Sequence, residues 1–215
     1  MVRALLWDHD GVLVDTEGLY FQATRDTLAG VGVVLSEPLY RQLFLSEGRG
    51  AWHLARERGA SDAQVDLLKA ARDARYTELV TRGDVLIPGA LPLLGVLGRR
   101  FRMAIVTSSQ RGHFDAIHRD TGLPALFELV VTSEDCSATK PHPDPYLRAV
   151  DRLGVAPADC LVIEDSRRGL LAAHAAGLRC WVIPSTLTAS SSFAEAERTF
   201  GSLAALGEAL LALAP

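Results

Sequence analysis

Lysine is nearly missing from this chain: of 22 basic residues, only Lys69 and Lys140 are lysine. A position that keeps lysine where arginine is the habit points to a need for a compact point charge, which a planar guanidinium does not supply. Positive charge is not in excess either. The formal charge is −4, and without a basic footprint nucleic acid is not an expected partner. The three cysteines, Cys136, Cys160 and Cys180, form no CxxC pair. Cys160 and Cys180 flank apolar runs, as small core residues of a protein in a reducing compartment do. No apolar run approaches the ~18 residues of a membrane span, and the N-terminus has no basic region leading into a long apolar stretch. The expectation is a cytoplasmic protein with no membrane partner.

What is present suits a soluble globular chain: 215 residues, 48% hydrophobic and 22% charged, enough for one domain with a small insertion. Short apolar runs predict strands over 2–7, 101–106, 127–131, 161–163 and 180–183. Helical spacing predicts helices over 90–97, 111–121, 145–153, 203–213 and from 166 through 176, while 185–197 reads as a loop. Strands alternating with helices predict an α/β fold: a doubly wound, Rossmann-like parallel sheet covered on both faces. Straight after the first strand the alternation fails. Residues 16–84 carry only helices, including 37–45, 51–58 and 62–81, far more chain than a βα crossover needs. Residues 1–15 and 85–215 are therefore expected to form the core, and 16–84 an inserted all-helical domain.

The first strand ends in Asp8-His9-Asp10-Gly11. Alternation along a strand sends both aspartates into one pocket and His9 elsewhere, where a structural role is expected. Two carboxylates aimed together repel unless a cation or shared proton relieves them. Taken alone, these residues fit an ordinary acidic turn equally well. In a doubly wound sheet, however, ligands bind beyond the carboxyl ends of the strands. There the other strands deliver Thr107 and Ser108, Glu164 and Asp165, and a proline-stiffened loop carrying Lys140. Four carboxylates, hydroxyls and a lysine suit Mg²⁺ and a phosphate, and phosphoryl transfer by positioning and charge neutralisation.

Asp8-His9-Asp10-Gly11-Val12-Leu13, Thr107, Lys140-Pro141 and Glu164-Asp165-Ser166 resemble, in order and spacing, the four motifs of the haloacid dehalogenase superfamily. Asp15-Thr16-Glu17 and the Lys-Pro-x-Pro-Asp-Pro-Tyr run ending at Tyr146 narrow the resemblance to its β-phosphoglucomutase-like phosphatases. The resemblance implies that Asp8 is a nucleophile forming an aspartyl-phosphate, and that Asp10 protonates the leaving oxygen and then deprotonates water. It implies Mg²⁺ held by Asp8, the Asp10 backbone carbonyl and Asp165, with Glu164 direct or through water. Thr107 and Lys140 would bind the transferring phosphate, with Ser108 beside them.

The same resemblance makes 16–84 a cap that closes over the site and sets substrate choice. Arg49, between two glycines, is the candidate for the distal part of a small phosphorylated metabolite such as a sugar phosphate. Arg72 and Arg75 read as a solvated helix face. True mutases resemble this chain but place histidine at Tyr20 and lysine at Gln110. Phosphatase is thus the expected activity, with a phosphosugar mutase as the alternative if Arg111 replaces the missing charge. A phospho-signalling receiver also combines aspartates, threonine and lysine, but carries its acceptor on a middle strand without an inserted domain. A binding protein that has lost catalysis is the other non-enzyme alternative. The branch is often monomeric, and a monomer is expected.

Overall fold

The computed structural model describes residues 1–213; residues 214 and 215 of the expected core lie outside them. Six strands form one parallel sheet in the order β3-β2-β1-β4-β5-β6. These are β1 (Ala4–Trp7), β2 (Arg102–Val106), β3 (Leu129–Val131), β4 (Cys160–Glu164), β5 (Arg179–Val182) and β6 (Arg198–Thr199). The expected Rossmann-like sheet is present. β6 was not foreseen, because two exposed residues carry no alternation to read. β1 lies between β2 and β4, with Leu6 opposite Ala104 on one side and Val162 on the other. From β1 the chain winds outward one way to β3, then returns to build β4 to β6 on the other side. The carboxyl end of β1 is therefore the switch point where such sheets open a ligand crevice.

Both faces of the sheet are covered, which is why its central strands read as continuous apolar runs. Leu5, Trp7, Ile105 and Ile163 pack under Leu94 of α5 (Ala90–Leu97), Phe114 of α6 (Arg111–Ile117) and Leu206 of α9 (Leu203–Ala212). Ala4, Leu6, Val106 and Val162 pack on Tyr146 of α7 (Asp144–Leu153) and Leu170 of α8 (Arg167–Ala175). Cys160 and Cys180 are buried in this second layer, as small core residues. The predicted helix 111–121 stops at Ile117, with His118 as its cap.

Between β1 and α5 lie only helical elements, among them α1 (Glu17–Ala29), α2 (Glu37–Tyr40), α3 (Trp52–Glu57) and α4 (Asp62–Val80). Ser61 and Gln64 form a reciprocal capping box that starts α4. The single helix expected over 37–45 is instead one α-helical turn followed by a wider π-helical segment, Arg41–Ser46. Leu43 and Leu45 enter the helical core, Phe44 packs against it, and Phe44 and Leu45 also line the cleft. That distribution spreads over more of the circumference than one α-helical stripe covers. Where the insertion leaves and rejoins the sheet, its two ends pair: Asp15 N donates to Val85 O at 2.8 Å and Ile87 N to Leu13 O at 3.0 Å. A second contact sets Tyr76 of α4 edge-on to His113 of α6, centroids 4.9 Å apart.

Candidate active site

The ladder runs one residue past β1, with Asp8 N donating to Ile163 O at 2.8 Å. The chain then turns at Gly11, where φ is +84° and a Cβ would run into the Asp165 carboxylate. Conformation and close approach both require glycine there. Asp8 faces Lys140, which leaves its loop beneath the sheet edge and is only 3% exposed. The ammonium donates to Asp8 Oδ1 at 2.6 Å, Glu164 Oε1 at 2.7 Å and the Val106 carbonyl at 2.8 Å. Three donors diverging from one nitrogen to three buried acceptors are what lysine offers and arginine does not.

Glu164 sits fully buried under this group. Its Oε1 also accepts from the Tyr146 hydroxyl at 2.7 Å, and its Oε2 accepts from Asp165 N, Ser166 N and Ser166 Oγ at 3.0–3.2 Å. Both oxygens are thus engaged by protein donors, so the site differs from one in which Glu164 is a free metal ligand. It stands as counter-charge to Lys140. Burial raises its carboxyl pKa, but Lys140 together with the hydrogen bonds from Tyr146 and Ser166 outweighs burial and holds it low. Asp165 is different. Its side chain accepts from Thr188 Oγ1 at 3.3 Å. Burial, then the Asp8 and Glu164 charges, push its carboxyl far above the usual range. Burial and Glu164 raise Asp8 as well, against the pull of Lys140.

Oxygens of Asp8, Glu164 and Asp165 lie within 4.8 Å of one another. Three buried carboxylates against one ammonium leave an excess of negative charge. A hard divalent cation such as Mg²⁺ meets both that charge and the all-oxygen donor set. Asp8 and Asp165 have the open lone pairs to hold it.

Asp10 lies on the cleft side of the same turn. Its Oδ1 accepts from Thr16 Oγ1 at 2.6 Å; its Oδ2 accepts from Ser109 Oγ at 2.8 Å, Thr107 Oγ1 at 3.1 Å and His9 Nδ1 at 3.1 Å. Burial pushes its pKa up, but the charge and hydrogen bond of His9 and the bonds from Thr16 and Ser109 outweigh it and hold the carboxyl below its usual value. His9 faces away from Asp8 as alternation requires, yet it reaches Asp10, which alternation did not foresee.

The cleft over these groups has a volume of about 200 Å³. Asp8, Asp10, Lys140 and Asp165 form its floor, and Tyr20, Tyr40, Phe44 and Tyr76 of the helical insertion its roof. Several other sequence candidates do not line the cleft. Thr107 is buried and turned to Asp10, and Ser108 is the hydroxyl that lines the cleft, its Oγ buried with no hydrogen-bond partner among the described residues. Arg49 is exposed and paired with Glu47. Arg111 is turned to Asp135 at 3.3 Å and the Val130 carbonyl. Arg72, expected in solvent, is buried over the Tyr20 and Trp52 rings. The arginine that does line the cleft is Arg168, in the first turn of α8. It has no carboxylate partner among the described residues, and its Nε is buried without a hydrogen bond. Sequence reasoning missed it, although it stands only two residues after Glu164-Asp165-Ser166.

The family model for haloacid dehalogenase-like hydrolases matches residues 2–177. The chain belongs to the haloacid dehalogenase-like hydrolases. It is 38% identical over 208 residues to protein CbbY of Rhodobacter capsulatus, covering 91% of each chain. It is 34% identical over 183 residues to hexitol phosphatase A of Escherichia coli, covering 84% of this chain and 82% of that one. Among solved structures, CbbY of Rhodobacter sphaeroides in complex with phosphate superposes with a TM-score of 0.83 at 30% identity, over 99% of this chain and 100% of that one. A mutant of the same CbbY, solved with xylulose 1,5-bisphosphate, gives a TM-score of 0.83. A β-phosphoglucomutase from Clostridium difficile shares the fold at 19% identity and a TM-score of 0.77. Within its family this hydrolase falls in the phosphatase branch, as a phosphoric monoester hydrolase. Among the described residues no helix is long and apolar enough to cross a membrane.

Proposed function

We propose that this hydrolase removes phosphate from a sugar phosphate or similar small metabolite by way of an aspartyl-phosphate on Asp8, with Asp10 as acid and base. One observation carries the reading: the Asp8 carboxylate, bound to Lys140 at 2.6 Å, shares a cleft with the unpartnered Ser108 hydroxyl and with Asp10. Asp8 attacks phosphorus as the ester bond breaks, and Asp10 gives its proton to the departing alcohol oxygen. Asp10, now a carboxylate, takes a proton from the water that cleaves the aspartyl-phosphate, restoring both side chains. The donors around Asp10 favour the carboxylate needed in the second half. The negative charge of an incoming phosphate favours the protonated form needed in the first. Ser108 orients a phosphoryl oxygen, and the charge of Lys140, held against Asp8, offsets that of the phosphate. Mg²⁺ held by Asp8 and Asp165, with the Asp10 carbonyl, would supply positive charge against the phosphate.

Residues 16–84 act as the cap, whose aromatic roof excludes water. Arg168 is the group we assign to the substrate beyond its phosphate. A sugar phosphate fits the cleft's mixture of aromatic rings, Glu17, Gln110 and a free guanidinium, and accords with the ligands and names of the relatives. Hydrolysis is favoured over mutase activity because Gln110 is neutral and Arg111, the substitute charge, is tied to Asp135. Purified enzyme should hydrolyse phosphate monoesters with Mg²⁺ and stop in chelator, and Asp8→Asn should abolish turnover. Full activity of that variant would overturn the assignment.

A further inference from the structure

His9 and His118 are buried, 0% and 7% exposed, and their Nε2 atoms meet at 2.7 Å. So short a contact between two ring nitrogens holds one proton between them. The far nitrogen of each ring is also engaged. His118 Nδ1 lies 2.8 Å from Thr121 Oγ1, and His9 Nδ1 lies 3.1 Å from Asp10 Oδ2. Two proton arrangements satisfy the chain. In one, the Thr121 hydroxyl donates to His118, which donates to a neutral His9. In the other, a charged His9 donates to His118, which donates to Thr121. Both leave an N–H of His9 on Asp10, because a carboxylate only accepts. Phe114 packs against both imidazoles, with centroids at 5.1 and 4.6 Å, and fixes their planes. Phe114 of α6 and His118, the cap of that helix, lie four residues apart, so the end of one helix carries both supporting rings.

We propose that His9, oriented by His118, is a positioning residue for Asp10: its Nδ1–H fixes the carboxyl group that protonates the leaving group. The inference rests on the acid and base assignment of Asp10. Loss of that hydrogen bond leaves Asp10 held only by the rotatable hydroxyls of Thr16, Ser109 and Thr107 and removes its one donor on a rigid ring, and misplacing a proton donor by about 1 Å costs of the order of 100-fold. The effect belongs to substrates whose alcohol must be protonated to depart. A nitrophenyl ester, whose anion leaves unaided, does not need it.

The test compares kcat/KM, which counts steps up to departure of the alcohol, for glucose 6-phosphate and for p-nitrophenyl phosphate. The side-chain amide nitrogen of asparagine reproduces Nδ1 of histidine, and that of glutamine reproduces Nε2. His9→Leu is expected to lower kcat/KM on the sugar ester about 10- to 100-fold while the nitrophenyl ester changes less than about threefold, and His9→Asn to recover most of the loss. His118→Leu should show the same selectivity to a smaller degree, and His118→Gln should recover. Retained turnover of the nitrophenyl ester certifies that each variant is folded. Nitrogen NMR of the wild-type enzyme should find His9 protonated at Nδ1. Equal losses on both esters, an unprotonated Nδ1, or no loss in either leucine variant overturns the inference. Asp10→Asn is the control. If it too loses both esters equally, the acid assignment of Asp10 falls and takes the inference with it. If it is selective and the histidine variants are not, the inference alone falls.

Discussion

Lys140 gives each of its ammonium protons to a different buried acceptor, and two of those acceptors are carboxylates. Lys140→Met would leave Asp8 and Glu164 facing each other without a cation. Breaking a buried pair this way costs about 3–5 kcal/mol, so the variant should unfold at clearly lower urea, and Lys140→Arg should not restore it. Arg168 presents the opposite case, a cation waiting for a partner. A hydrogen bond to a charged group is worth about 1.5–3 kcal/mol. Arg168→Ala is therefore expected to raise KM for a sugar phosphate about 10- to 100-fold with kcat little changed. Arg49→Ala should change neither more than about twofold; steady-state kinetics on the two variants distinguish the arginines. The difference between these residues also explains what was legible. Lys140 stood out because lysine is so scarce and follows a strand end. Arg167 and Arg168 are adjacent and chemically identical, and α8 turns each residue by about 100° from the last. Which of them meets the cleft depends on where Ser166 caps the helix, and Arg167 in fact pairs with Glu195 at 2.7 Å.

At the scale of the element, α8 and α6 each contain a glycine whose surroundings dictate opposite outcomes. A Cβ on Gly169 in α8 would overlap the Glu164 carboxylate, which Lys140, Tyr146 and Ser166 hold in place. Gly169→Ala is expected to destabilise by about 1–3 kcal/mol and to lower activity by displacing the counter-charge of Lys140. Gly112 in α6 is exposed, with nothing within 4 Å of a Cβ. Gly112→Ala should stabilise by about 0.5–1 kcal/mol with activity intact; denaturant melts of the pair test both signs. No sequence pattern separates these glycines, because the difference is a neighbour from another strand. Long elements with a periodic face were legible, as α4 and α7 were, and so were the buried strands that carry the site. The π-helical Arg41–Ser46 and the two-residue β6 were not, since neither has a period of its own and both answer to tertiary packing.

Across the whole molecule, two sets of buried groups pull stability in opposite directions with pH. Burial lowers His118 to about 3 and also lowers His113. A histidine held neutral in the fold but free to charge when unfolded contributes stability that is complete above about pH 6.5 and is lost as pH falls below it. Asp8 and Asp165 are raised by burial and by their shared carboxylate neighbours. Folded protein without a cation therefore binds more protons there than unfolded chain does. Its stability declines as pH rises above about 4. Scanned against pH without metal, the two trends offset and a single melting curve conceals both. A divalent cation separates them, because it touches the carboxylates and leaves the histidines alone. It relieves the repulsion that raises Asp8 and Asp165, releases their protons, and binds folded protein only. The difference in Tm with and without Mg²⁺ should be near zero at pH 4 and grow steadily through pH 7. Asp165→Asn, with one carboxylate removed, should melt higher than the wild type without metal and gain little from Mg²⁺. A Tm difference independent of pH, or an undiminished gain in Asp165→Asn, would mean that the cation binds away from the Asp8 turn.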